Sequence, residues 1–295
     1  MTALASFTLH RSRSVEEATG LLDELGDDAV IYSGGTELLL LMKLGFATYG
    51  HLVDVKPIEE LAGIGMVDGW LRIGSTVTHR ALERSPLVAA GWPALIAMER
   101  RVANIRVRST GTLGGNLAFA DPHSDPATFL IAADARLILG LDTARRTVPI
   151  AEFVRGPYET ALRPSELLVA IEVPQLPGDA AMAHLRFAFH ERPAATISCL
   201  VRVREGLLID TRISVGSVGI TPVRAEKAES LLSGMPAAAL PPDVLEAAGR
   251  AAADAADPVT DANGSGTYKR DLVRVLVGRC IREATEAALV RAPAA

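Results

Sequence analysis

Two short glycine-rich stretches hold the residue types best suited to chemistry in this chain. The longer runs Ser109-Thr-Gly-Thr-Leu-Gly-Gly-Asn-Leu-Ala-Phe-Ala-Asp-Pro-His-Ser-Asp125. It brings together Gly111, Gly114 and Gly115, hydroxyls at Thr110 and Thr112, an amide at Asn116 and carboxylates at Asp121 and Asp125. The shorter is Ser33-Gly-Gly-Thr-Glu37. Glycine permits positive φ and lets a ligand approach main-chain N–H groups closely, and successive N–H groups pointing one way form a concave anion site. The shorter stretch ends where a helix is predicted to start, so free N–H groups and the helix dipole favour an anion there, and Thr36 adds a hydroxyl donor. The same residues have plainer uses: Thr36 and Asp125 as helix N-caps, Asp121-Pro122 as a turn. The pair of loops points to a diphosphate-bearing ligand, with a dinucleotide as the natural candidate.

Other chemistries find no support. Gly63-Ile-Gly65 lacks the third glycine and the strand–turn–helix setting of a Rossmann fingerprint, and there is no phosphate-loop lysine motif. No Gly-x-Ser-x-Gly elbow occurs. The six histidines show no ligand spacing; His184 and His190 fit no helix face, and His123 reads as a loop residue. The two cysteines, Cys199 and Cys280, sit far apart in apolar surroundings and read as small buried hydrophobes. They are too few for a disulfide framework, a thiolate zinc site or an iron–sulfur cluster.

The elements that must position the loops follow from pattern. Ser14 and Glu17 make a capping-box start for a helix to Leu25, with Val15, Ala18, Leu21 and Leu22 at helical spacing. Ala29 to Tyr32 reads as a strand feeding the first loop, a helix follows from Glu37 to about Leu44, and Val53 to Val55 is a further strand. Asp68-Gly69 between apolar runs signals a hairpin. Trp92 to Val107 reads as mostly helical and leads into the second glycine stretch; Asp125 to Ala133 is helical. Ala135 to Leu141, Thr147 to Ile150 and Ser165 to Val173 read as strands. Pro174-Gln-Leu-Pro-Gly178 interrupts the pattern and predicts a domain boundary. Beyond it, two long strands (Ile197 to Val203, Leu207 to Val218) precede helices at Ala225 to Leu232, Pro242 to Ala256 and Tyr268 to Leu289, an α+β arrangement.

Composition narrows the partners. At 295 residues the chain suits about two domains. A net charge of −5 without a basic block argues against nucleic acid. Met1 to Ser14 lacks a long apolar core after a basic start, and no apolar run approaches membrane-spanning length, so a soluble, cytoplasmic protein is expected.

The motifs carry a resemblance. Ser33-Gly-Gly-Thr-Glu37 with Met42-Lys43, and the run from Gly111 to Asp125, closely resemble the FAD-binding (medium) subunit of molybdenum hydroxylases, the carbon monoxide dehydrogenase and xanthine dehydrogenase family. The likeness extends over nearly the whole chain through His51-Leu-Val-Asp54, Arg163-Pro-x-Glu-Leu-Leu168, Ile171-Glu-Val-Pro174 and Tyr268-Lys-Arg270. It implies an α+β fold: a vanillyl-alcohol-oxidase-like (PCMH-type) FAD-binding domain of two α/β subdomains over 1–173, divided at about 56/57, plus a C-terminal α+β domain over 179–290. It implies FAD contacts from Ile31, Ser33, Gly34, Gly35, Thr36 and Glu37 on one side. Thr112, Gly114, Gly115 and Asn116 would form the other, Asp125 would face the ribityl or adenosine portion, and Leu168 and Arg186 would lie by the flavin.

The resemblance also implies the work. The chain would take electrons from 2Fe-2S clusters of a small partner subunit and pass them to NAD, a quinone or oxygen. Molybdenum cofactor chemistry would occur on a large partner subunit, the whole forming a doubled heterotrimer. No general base is needed for such work, and none is evident. Two departures stand out: Pro193-Ala194-Ala195 where a larger side chain often shields the flavin, and arginine rather than lysine at 186. An autonomous FAD-dependent oxidase with its own substrate pocket is the alternative, and a nucleotide-binding module without redox work is a third reading.

Overall fold

The computed structural model describes residues 4–291. Residues 1–3, which open the stretch read above for a leader, and 292–295 lie outside the described residues.

The first unit is a three-stranded parallel sheet in which β3 (His51–Asp54) lies between β1 (Thr8–Arg11) and β2 (Ala29–Tyr32). The parallel strands β1 and β2, on either side of β3, are joined by α1 (Val15–Leu25), whose cap Ser14 accepts a hydrogen bond from the Glu17 N–H at 3.1 Å. Helix α2 (Leu38–Leu44) ends at Gly45, which takes φ 77° as a left-handed C-cap.

The second unit is a five-stranded antiparallel sheet in the order β4 (Ile64–Val67), β5 (Trp70–Gly74), β10 (Leu167–Pro174), β6 (Arg136–Leu141), β7 (Ala144–Pro149). Asp68 and Gly69, at φ 49° and 81°, form the turn that joins β4 to β5. Helices α3 (His79–Glu83), α4 (Pro86–Gly91), α5 (Pro93–Glu99), α6 (Ile105–Thr110), α7 (Leu113–Phe119) and α8 (Asp125–Ala132) lie between β5 and β6 in the chain. A two-stranded ribbon, β8 (Val154–Gly156) with β9 (Glu159–Thr160), follows β7. Central β10 is buried from Leu167 to Val173, and a bulge between Leu168 and Ala170 interrupts its alternation. As a result Leu168, Ile171 and Val173 enter the core under the helices, while Leu167, Val169 and Ala170 enter the core shared with α1 and β3.

The third unit is an antiparallel sheet, β11 (Ala180–Phe187), β12 (Ala195–Arg204), β13 (Leu207–Gly216) and β14 (Val223–Arg224), followed by α9 (Glu226–Ser230), α10 (Pro242–Ala256) and α11 (Gly266–Arg291). Helices α10 and α11 pack with strand residues such as Ile197, Val201 and Val215 in one apolar core that also holds Cys199 and Cys280. On the α8 side the contacts are small and polar. Thr128 lies 3.0 Å from the Thr196 hydroxyl, and Ser214 donates to the Thr128 carbonyl at 2.6 Å. A Cβ on Gly216 would stand 1.9 Å from Thr128 Oγ1, so glycine there lets helix and sheet approach. Helix α8 is buried at every position, with Phe129, Leu130 and Ile131 in the core and its polar Thr128 hydrogen-bonded to the sheet.

Several elements differ from the sequence expectation. Strand β11 and short β1 were not anticipated, and the 92–107 segment is two helices, α5 and α6, broken around Ala103 at φ 41°. The second glycine stretch is not an open loop: residues 113–119 form α7, capped by Thr112.

Candidate functional site

A cleft of about 570 Å³ runs between the two glycine stretches, a size ordinary for a cofactor site. Ile31, Ser33, Gly34, Gly35, Thr36 and Glu37 line one wall; Thr112, Gly115, Asn116 and Asp125 line the other. The walls touch where the Ser33 and Thr112 hydroxyls lie 3.2 Å apart. Backbone meets backbone beside them, since a Cβ on Gly34 would stand 2.5 Å from the Thr110 carbonyl oxygen and 2.7 Å from the Gly111 Cα.

The first loop offers its amides. Gly35 holds φ 69°, and the N–H groups of Gly34, Gly35, Thr36 and Glu37 have no hydrogen-bond partner among the described residues. Consecutive unpaired N–H groups at a left-handed glycine before a helix are the geometry of an anion nest. Such groups, left without water, demand a partner.

The second loop spends its amides on the fold. Leu113 N–H donates to the Val77 carbonyl at 2.9 Å and Gly114 N–H to the Ser75 carbonyl at 3.0 Å. Gly115 N–H donates to the Thr112 hydroxyl at 3.0 Å and Asn116 N–H to the Thr112 carbonyl at 2.9 Å. Gly114 faces inward: its Cβ would meet Ser75 Cβ at 2.4 Å, and it is not a cleft-lining residue. Around Gly115 the nearest atom to such a Cβ, apart from its immediate neighbours, is the Thr112 hydroxyl at 2.9 Å, so its surface stays open to the cleft. Asn116 accepts from the Ser124 hydroxyl at 2.7 Å, and its amide N–H groups are unpaired among the described residues.

Two other sequence-selected positions lie away from the cleft lining. Leu168 is buried in the β10 core. Arg186 on β11 donates to the carbonyls of Arg101 and Glu191 and lies 3.5 Å from Asp125 Oδ2. Asp125 is not the cap of α8; Ser124 is, accepting from Ala127 N–H. Asp125 instead sits in the first turn, 3.4 Å from His184 Nε2.

A further cleft residue comes from a segment that no motif marked, and other charged and aromatic side chains pack around it. Arg192, between β11 and β12, reaches Asp121 at 3.0 Å and Glu37 at 3.6 Å, a cation between the two walls. His123 Nδ1 donates to the Pro193 carbonyl at 2.8 Å, while its Nε2 lies 3.4 Å from Asp261. Burial opposes ionisation of Asp261, but the wholly buried Lys269 ammonium at 2.5 Å and the Asn263 N–H hold its carboxyl below the usual range. Tyr158 packs edge-on against Phe119, and burial, then the Asp121 charge, raises its phenol. Ala194 is fully buried. Among the described residues no group of three or more His, Cys, Asp or Glu is arranged to hold a metal, and no helix is long and apolar enough to cross a membrane.

A parallel unit and an antiparallel sheet with a glycine-walled cleft between them, its amides unpaired on one side, followed by an α+β unit, are the arrangement of a protein that takes a diphosphate-bearing ligand. Residues 5–176 match the family described as the FAD-binding domain in molybdopterin dehydrogenase, and residues 188–284 match the CO dehydrogenase flavoprotein C-terminal domain. The chain belongs to this family of oxidoreductase subunits. It is 34% identical over 280 residues to the carbon monoxide dehydrogenase medium chain of Hydrogenophaga pseudoflava, covering 94% of this chain and 96% of that one. It is 31% identical to a putative xanthine dehydrogenase FAD-binding subunit of Escherichia coli, covering 95% and 96%. The solved carbon monoxide dehydrogenase from Hydrogenophaga pseudoflava, which lacks the Mo-pyranopterin moiety of its cofactor, superposes with a TM-score of 0.92 at 33% identity, over 97% of this chain and 99% of that one.

Proposed function

We propose that this chain is the FAD-carrying electron-transfer subunit of a molybdenum hydroxylase. The observation that carries the reading is the run of unpaired N–H groups from Gly34 to Glu37, facing a second glycine wall across a cleft of cofactor size. Bound FAD supplies the redox chemistry, and the protein orients and tunes it. The first loop and the Thr36 hydroxyl hold the diphosphate. Ser33 and Thr112 fix the spacing of the walls, and Gly115 leaves room for the cofactor against α7. Asn116 presents its amide, and Arg192 balances the carboxylates of Glu37 and Asp121 at the rim. Leu168 and Arg186 act from behind the cleft: Leu168 packs the strand beneath it, and Arg186 ties the 101 and 191 backbones beside Asp125.

The FAD-binding half ends near residue 173, and the C-terminal half spans 179–290. In the assembled enzyme a large subunit with the molybdenum cofactor and a small subunit with 2Fe-2S clusters accompany this chain, as a doubled heterotrimer in the cytoplasm. The chain takes electrons from the small subunit's clusters and delivers them to an external acceptor such as NAD, a quinone or oxygen.

Purification through a tag on this chain, with whatever accompanies it, tests the proposal. The expected preparation is coloured, releases about one FAD per chain, and contains iron, molybdenum and two further polypeptides. A colourless preparation that takes up no added FAD would sink it. A lone flavoprotein that oxidises a small substrate by itself would favour the autonomous oxidase.

A further inference from the structure

An ionisable pair reaches the cleft through one of its members, and the glycine loops do not explain it. His79, the first residue of α3, is 2% exposed and lines the cleft. Its Nδ1 lies 2.7 Å from Oε2 of Glu99, a fully buried residue at the end of α5. The other oxygen, Glu99 Oε1, is buried without a partner among the described residues. A carboxylate removed from water and given one hydrogen bond is costly unless a cation faces it. The imidazole is the group that faces it, and a ring carrying its proton on Nε2 donates from the side away from Glu99. Nδ1 is committed to Glu99, while Nε2 has no partner among the described residues.

Gly111 locates the ring within the site. The His79 N–H donates to the Gly111 carbonyl at 3.1 Å. A Cβ on Gly111 would lie 3.5 Å from His79 Cδ2, the carbon bonded to Nε2, and 3.4 Å from Thr36 Oγ1. The backbone of the second loop, the hydroxyl of the first and the imidazole therefore converge on one point.

We infer that His79 is a further binding residue for the diphosphate, donating through Nε2, and that Glu99 is the positioning residue that orients the ring through Nδ1. The inference rests on the FAD reading. It adds an imidazole donor to the amides and hydroxyls that the two loops supply.

The test uses the assembled protein, stripped of flavin. FAD is titrated by quenching of its fluorescence, and ADP, which has the diphosphate but no flavin ring, is measured as a competitor. In His79→Gln and in Glu99→Gln, affinity for FAD and for ADP is expected to fall by the same factor, about tenfold or more. The visible spectrum of bound FAD should be unchanged. Glu99→Gln can still hydrogen-bond a neutral ring, so it carries the same expectation if His79→Gln does not fold. Melting temperature separates the two effects: the double variant should recover stability lost in His79→Gln without recovering affinity. Unchanged FAD affinity in a folded variant, or a loss for FAD with none for ADP, would overturn the inference and leave the FAD reading standing. Wild-type protein that binds no FAD would overturn both.

Discussion

The two glycine stretches look alike as sequence and do opposite work. In residues 33–37 the backbone amides are left unpaired, and Gly35 takes a left-handed conformation. In residues 111–116 each amide from Leu113 to Asn116 is already bonded to Val77, Ser75 or Thr112. The first leaves its donors unpaired in the cleft; the second is a brace that carries an open surface. A Gly-Gly pair therefore reports close approach, and only the fate of the N–H groups says whether a ligand or another strand of the same chain is what approaches.

Removal of the cofactor should separate the two loops most widely. A ligand present at a thousand times its Kd stabilises its protein by about 4 kcal/mol, and stripping FAD should lower the melting temperature accordingly. Hydrogen exchange should then show Gly34 to Glu37 fast in stripped protein and slowed by FAD, with Leu113 to Asn116 protected in both states. Equal protection of the two loops without FAD would erase the distinction. Gly114→Val should rank next. Its side chain would press on the Ser75 backbone and side chain, and overpacking of this kind costs about 1–3 kcal/mol, read as a lower denaturation midpoint with the loss of FAD following from it. Gly35→Ala should cost about 1–2 kcal/mol for its left-handed backbone, and here FAD affinity should fall in a protein that still folds.

The smallest contrast is between two threonines. Thr112→Ala removes the cap of α7 and should cost about 1 kcal/mol of stability. Thr36→Ala removes no hydrogen bond of the described fold and should stay within about 0.5 kcal/mol in stability while weakening FAD by roughly fivefold. A reversal of that order would mean the roles of the loops had been exchanged.

Much of this was legible in residue patterns. The cap and spacing of α1, the Asp68-Gly69 hairpin, the long β12–β13 pair and α10 all follow from local signals. Strand β11, Ala-Ala-Met-Ala-His-Leu-Arg-Phe, carries none of the β-branched residues that announce a strand; pairing along β12 makes it one. Helix α7 begins Leu-Gly-Gly-Asn, a poor helix former, and is held by the Thr112 cap and the buried Leu113 and Leu117. Ser33 to Glu37 and Thr112, Gly115, Asn116 and Asp125 line the cleft from within the two contiguous motifs, whereas Gly114 of the same motif does not. His79 with Glu99, and Arg192 with Asp121 and Glu37, went unseen because each pairing joins residues distant in sequence and ordinary in their own surroundings.

The place of β10 has a consequence for synthesis. It is the last strand of its sheet to leave the ribosome, yet it sits at the centre, between β5 and β6. Until residue 174 emerges, the β4–β5 and β6–β7 hairpins each expose an unpaired inner edge, and the core shared with α1 lacks Leu167, Val169 and Ala170. Nascent chains halted before that point carry edges open to aggregation. Most of the cofactor half is thus made before its antiparallel sheet can close, and that closure waits on one eight-residue strand.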